Sequence, residues 1–111
     1  MPDFNANVGI YEEQTAQSTS VFYDVNNPTT GTVTSATLSC TETNFTSAGN
    51  LLVGANYYMT ADGTNWESVT NGATHNFTNT GKDLRWKIVL FRNDQDYNPY
   101  ITKLKIIYVI T

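Results

Sequence analysis

"KDLRWKIVLF", Lys82–Phe91, decides the fold. Leu84, Trp86, Ile88 and Leu90 alternate with Asp83, Arg85, Lys87 and Val89. Successive side chains of a strand point to opposite faces, so this pattern buries one face and wets the other. A helix would need its apolar residues at spacings of three and four. The segment is therefore a strand, with Leu84, Trp86, Ile88 and Leu90 expected in the core. "YITKLKIIYVI", Tyr100–Ile110, is the next strand toward the C-terminus. Its alternation places Thr102, Leu104, Ile106, Tyr108 and Ile110 on one face, with Ile101, Lys103, Lys105, Ile107 and Val109 opposite. Leu104, Ile106 and Tyr108 are expected to join the core.

Toward the N-terminus, "YYMTADGTNWESV", Tyr57–Val69, sets Asp62 and Gly63 between two strand-forming runs. Asp-Gly suits a type I′ turn, which needs positive φ at both central residues. A tight hairpin is expected, with Asp62 as turn former and Trp66 packing on the hairpin or in the core. "LLVGANYYMTA", "TVTSATLSCTE" (Thr32–Glu42), "SVFYDV" (Ser20–Val25) and a short run around His75–Phe77 are further strand candidates. Turns rich in Asn, Pro and Gly separate them. No helical period of useful length occurs. Seven or eight short strands, spaced about ten residues apart, indicate an all-β domain: an antiparallel sandwich or a small barrel.

Composition agrees. The 111 residues suit one domain. Charged residues make up 14%, against about 25% in an average chain, and Thr and Asn fill the gap. Net charge is −4, with only six Lys and Arg. Nucleic-acid binding is not expected, because phosphates demand a basic face. Binding to an anionic membrane surface is disfavoured for the same reason. No apolar run reaches the length of a membrane span, and no secretory signal is visible; the chain is expected to be made in a cytoplasm.

Residues 1–19 are polar and lack periodicity, yet carry Phe4, Val8, Ile10 and Tyr11. They read as an extended N-terminal arm before a β-sandwich domain spanning 20–111. Spaced apolar anchors on an extended chain suit docking on a neighbouring subunit. The competing arrangement folds the segment back onto its own sandwich.

Catalytic chemistry is not legible. Cys40 is the only cysteine and His75 the only histidine. "ATLSCTE" sets Cys40 on the side of a strand shared with Ala36 and Leu38, as a small buried hydrophobe. Glu12 and Glu13 are adjacent and point apart, whereas a general acid and base must converge. "DQDYN" sets Asp94, Asp96 and Asn98 at alternate positions, like the start of a calcium loop, but lacks the glycine and distal Glu. The expectation is a non-enzyme with no cofactor and no metal.

Taken together, "YYMTADGTNWESVTNG", "TGKDLRWKIVLFRND" and "NPYITKLKIIYVI" resemble a module of bacteriophage virion proteins and phage-derived tail or fibre proteins. The resemblance covers about Leu51 to Ile110. It implies a single β-sandwich similar to discoidin-like and carbohydrate-binding jelly rolls. It further implies a virion structural protein assembled in the host cytoplasm, foremost a capsid decoration protein on the outside of the shell. The partners would be other virion subunits such as the major capsid protein, with self-association into a homo-oligomer, and Phe4, Val8, Ile10 and Tyr11 as assembly contacts. The alternative is a glycan-binding or host-adhesion module of a head or tail fibre, with Tyr97, Asn98 and Tyr100 as the rim meeting a surface glycan.

Overall fold

The computed structural model describes residues 31–94 and 96–111 in full and the backbone alone of 3–6, 10–11 and 19–26. These residues form ten strands and no helix: β1 (Asp3–Ala6), β2 (Ile10–Tyr11), β3 (Thr19–Asn26), β4 (Val33–Thr43), β5 (Thr46–Ala48), β6 (Leu51–Thr60), β7 (Glu67–Val69), β8 (Thr74–Gly81), β9 (Leu84–Arg92) and β10 (Tyr100–Ile110). All ladders between them are antiparallel.

One sheet runs β1–β10–β4–β8, with β2 also on β10; the other runs β3–β9–β6–β5, with β7 also on β6. β1 and β2 share one edge of β10, and β5 and β7 share one edge of β6, so each sheet is four strands wide. The chain crosses from sheet to sheet at β2→β3, β3→β4, β4→β5, β7→β8, β8→β9 and β9→β10. This is the double-sheet arrangement of a jelly roll.

The core lies between the sheets, and β9 shows why. Leu84, Trp86, Ile88 and Leu90 are all at most 1% exposed, while the intervening residues are half-buried on the outer face. Val33, Ala36 and Leu38 of β4, Met59 of β6 and Leu104, Ile106 and Tyr108 of β10 complete the filling. Burying a side chain of this size contributes roughly 1.5–3 kcal/mol, so the interdigitated apolar faces are the main source of stability.

β10 departs from simple alternation. Lys103 has φ +55, and the pairing register with β4 shifts between Thr102 and Lys105. This bulge adds a residue and flips the phase upstream. Ile101 therefore points into the core beside Leu104, and Thr102 does not.

The N-terminal segment contributes two short strands. Asp3–Ala6 pair with Leu104–Ile107, and Ile10–Tyr11 pair with Tyr100–Ile101. These pairings lay the described part of the N-terminal segment along β10. The pairing satisfies backbone groups that β10 would otherwise leave open as a sheet edge. Of the expected assembly contacts, Val8 lies outside the described residues, as do the side chains of Phe4, Ile10 and Tyr11.

Candidate functional site

β6 is paired along one edge by β9, but its other edge is covered only in part. β5 pairs with residues 51–53 and β7 with residues 57–59. Between them, Gly54, Ala55 and Asn56 have no ladder partner on this edge among the described residues. A cleft of about 390 Å³ opens at this break, lined by Glu42, Ala55, Asn56, Tyr57, Ser68, Val69, Thr70 and Asn71. It exists because β7 and β8, only four residues apart in sequence, join different sheets.

The wall formed by the β7–β8 turn is tied down from β4. The Cys40 N–H donates to Asn71 Oδ1 at 2.9 Å, and Asn71 Nδ2 donates to the Cys40 carbonyl at 3.1 Å. The side-chain amide thus stands in for a ladder residue just beyond the start of β8. Gly72 N–H adds a bond to the Leu38 carbonyl at 2.7 Å.

Inside the cleft, Tyr57 reaches across from one sheet to the other. Its hydroxyl donates to Glu42 Oε2 at 2.5 Å and accepts from Cys40 Sγ at 3.6 Å. Burial, together with the bond to Glu42, drives the Tyr57 phenol well above its ordinary range. Burial likewise pushes the Cys40 thiol up to about 11. Both stay protonated at neutral pH, and the trio ties the two sheets together. The sole histidine is committed elsewhere: His75 Nε2 lies 2.9 Å from Glu67 Oε1, and its ring meets Phe77 edge-on. Among the described residues no group of His, Cys, Asp and Glu could hold a metal ion.

Two carboxylates have structural work. Glu67 of β7 accepts from Thr78 N–H and Asn79 N–H of β8, both at 3.0 Å, and so bridges the sheets. Burial raises its pKa, but these N–H groups and His75 outweigh it and hold the carboxyl below its usual 4.5. Asp62 accepts from Asn65 N–H, Asn65 Nδ2, Thr64 N–H and Thr60 Oγ1. Those bonds, the Asn65 backbone first, hold it far below the carboxylate range. A carboxylate with a depressed folded pKa contributes stability that is present above its unfolded pKa and lost as pH falls. Unfolding midpoints in urea should therefore be flat above about pH 6 and fall below about pH 4.5. Glu67→Gln should make that fall shallower; the same slope in both proteins would contradict the assignment.

The other sequence-predicted residues fall outside the cleft. Tyr97 and Asn98 are exposed on the β9–β10 connection, where their backbone carbonyls accept from Arg92 Nη1 and Asn44 Nδ2. Tyr100 pairs with Thr43, while its neighbour Ile101 pairs with Glu42. Strand alternation therefore puts Tyr100 on the sheet face opposite Glu42. Asp94 Oδ1 caps the N–H of Asp96 at 2.8 Å.

Compared with known proteins, the chain matches no family model, no curated protein and no solved structure.

Proposed function

We propose that the protein is a non-enzymatic bacteriophage virion structural protein, a capsid decoration protein that binds the outside of an assembled shell. The observation that carries the reading is the strand order of the two sheets, β1–β10–β4–β8 and β3–β9–β6 with β5 and β7. Jelly rolls of this order recur in viral capsid and lectin domains. Fold alone does not assign function; the resemblance of the second half to virion modules adds support to the reading. The protonated Cys40 and the engaged His75 suit a protein that binds rather than reacts. The partners are the major capsid protein and further copies of this chain, with Phe4, Val8, Ile10 and Tyr11 as contacts. The place of action is the virion, assembled in the host cytoplasm. The test is gradient sedimentation with assembled shells of the phage that encodes it. The protein should move with the shells at a fixed stoichiometry. If it stays at the top of the gradient at saturating concentration, the reading fails.

One observation favours a second reading, a glycan-binding or host-adhesion module: the polar cleft between β5 and β7.

A further inference from the structure

We infer that the outer face of β6, β7 and β9 carries a binding site for a single acidic sugar residue, one bearing a carboxylate, centred on the Lys87 ammonium. This rests on the glycan-binding reading and moves its site away from the Tyr97, Asn98 and Tyr100 rim. The ladders set the geometry. Tyr57 and Met59 of β6, Val69 of β7, and Trp86 and Ile88 of β9 are buried in the core. Strand alternation therefore turns Asn56, Tyr58, Ser68 and Lys87 to the outside. Tyr58 pairs with Ser68 on one side and with Lys87 on the other. These three form one row across three strands, with about 5 Å between neighbouring Cβ atoms. Asn56 is two residues along β6 on the same face, about 7 Å from Tyr58.

Lys87 is held in place without being neutralised. Its Nζ lies 5.0 Å from the Tyr58 ring centre and 4.8 Å from that of Trp66. The two rings attract the ammonium by their faces and leave its N–H groups without an oxygen acceptor among the described residues. The Tyr58 and Ser68 hydroxyls and the Asn56 amide also make no hydrogen bond. The amides of Asn65, Asn71 and Asn93, by contrast, are all committed within the fold. The nearby carboxylates have donors of their own. Glu67, beside Ser68, faces inward to Thr78, Asn79 and His75. Asp83 is gripped by Arg85, and Asp62 by its own turn. One fixed cation, one amide and two hydroxyls thus share a patch the size of a sugar ring, with no carboxylate among them.

The groups match an acidic sugar in kind. Its carboxylate would accept from the ammonium in a charge-assisted bond, and its ring hydroxyls, each donor and acceptor, would meet Asn56, Tyr58 and Ser68. Other ligand classes fit worse. A polyphosphate or nucleic acid needs several cations, and Arg85, the other cation on these strands, is already bidentate with Asp83. A metal ion would be repelled by Lys87. An apolar ligand would strand four uncommitted polar groups. Tyr58 and Trp66 hold the ammonium before any ligand arrives, which lowers the ordering cost of binding. The patch is open rather than enclosed and the chain carries net charge −4, so affinity should be weak, with a dissociation constant on the order of 1–10 mM.

The test is a chemical-shift titration of isotope-labelled protein with glucuronic, galacturonic and N-acetylneuraminic acids to about 50 mM, with glucose and acetate as controls. At least one sugar acid should give saturable shifts centred on Asn56, Tyr58, Ser68, Lys87 and the Trp66 indole. Lys87→Gln should weaken that binding about tenfold, the loss expected for a hydrogen bond to a charged group. Asn56→Ala, a change at an exposed side chain that leaves the core untouched, should weaken it several-fold. Unchanged affinity in either variant overturns the inference. So does glucose binding as tightly as the sugar acids, which would remove the role of the charge, or acetate doing so, which would remove the role of the ring. Saturable shifts centred on Tyr97, Asn98 and Tyr100 leave the glycan reading standing and overturn this site. The absence of saturable shifts with every sugar overturns both, while the sedimentation result stands apart.

Discussion

Replacing Trp86 with alanine is expected to cost about 3–5 kcal/mol, the range for truncating a large buried aromatic. Trp86 is 1% exposed at the middle of β9, with Tyr23 of β3 opposite it on one side and Met59 of β6 on the other. Its loss would open a cavity that the surrounding strands, fixed by their ladders, cannot collapse to fill. Domains of this kind have roughly 5–15 kcal/mol in total, so the variant should be marginal at room temperature. Trp66 provides the comparison. It is half-buried on the outer face, where Lys87 Nζ lies 4.8 Å from its ring centre. Trp66→Ala should cost about 1 kcal/mol, the scale of an exposed cation–π contact. Urea unfolding measures both; equal losses would contradict the placement of the two tryptophans.

Gly63→Val should be the next most damaging change. Gly63 has φ +78, which a residue with a Cβ adopts at a cost of roughly 1–2 kcal/mol. A Cβ there would also lie 2.2 Å from Asp83 Oδ2 and 2.8 Å from Asp83 Cγ. Asp83 cannot swing aside freely, because Arg85 grips both its carboxylate oxygens at 2.9 Å. Crowding of this kind adds about 1–3 kcal/mol. Gly72→Val isolates the two effects. Gly72 has φ +86, yet a Cβ there would meet nothing within 4 Å. It should therefore show the backbone cost alone, and matching losses at both glycines would mean that the Asp83 contact is absent.

The legibility of these features in the sequence follows from how local their causes are. β9 was readable because Leu84, Trp86, Ile88 and Leu90 are large and apolar, while Arg85 and Lys87 between them are charged. The phase of β10 upstream of Leu104 was not, because the bulge sits at Lys103, a residue type that gives no turn signal. The Asp-Gly hairpin was half legible. Gly63 has the positive φ expected, but Asp62 does not. Pairing stops at Met59↔Glu67, so the connection spans 60–66 rather than two residues. The Asp62 carboxylate organises it by gathering donors from Thr60, Thr64 and Asn65. Competition between a side-chain acceptor and the backbone turn decided the outcome.

The cleft was hidden for a different reason. Its lining comes from β4, β6, β7 and the turn after β7. Nothing local in "ESVTNGATHNF" says that one strand joins β6 and the next joins β4. That choice is made by which sheet edges are free once β9 and β10 have taken their partners. Asn71 is the one residue whose role had a sequence signal, as a turn former, yet its amide serves β4 instead.

That crossing between β7 and β8 supports both the jelly-roll order and the existence of the cleft, and nuclear Overhauser contacts between backbone protons test it directly. The account predicts cross-strand contacts of Tyr57 with Val69 and of Met59 with Glu67, and separately of Ala36 with His75 and of Thr37 with Thr74. A plain β7–β8 hairpin, with contacts running from Glu67–Val69 to Thr74–Asn76 and none from His75 to Ala36, would contradict it.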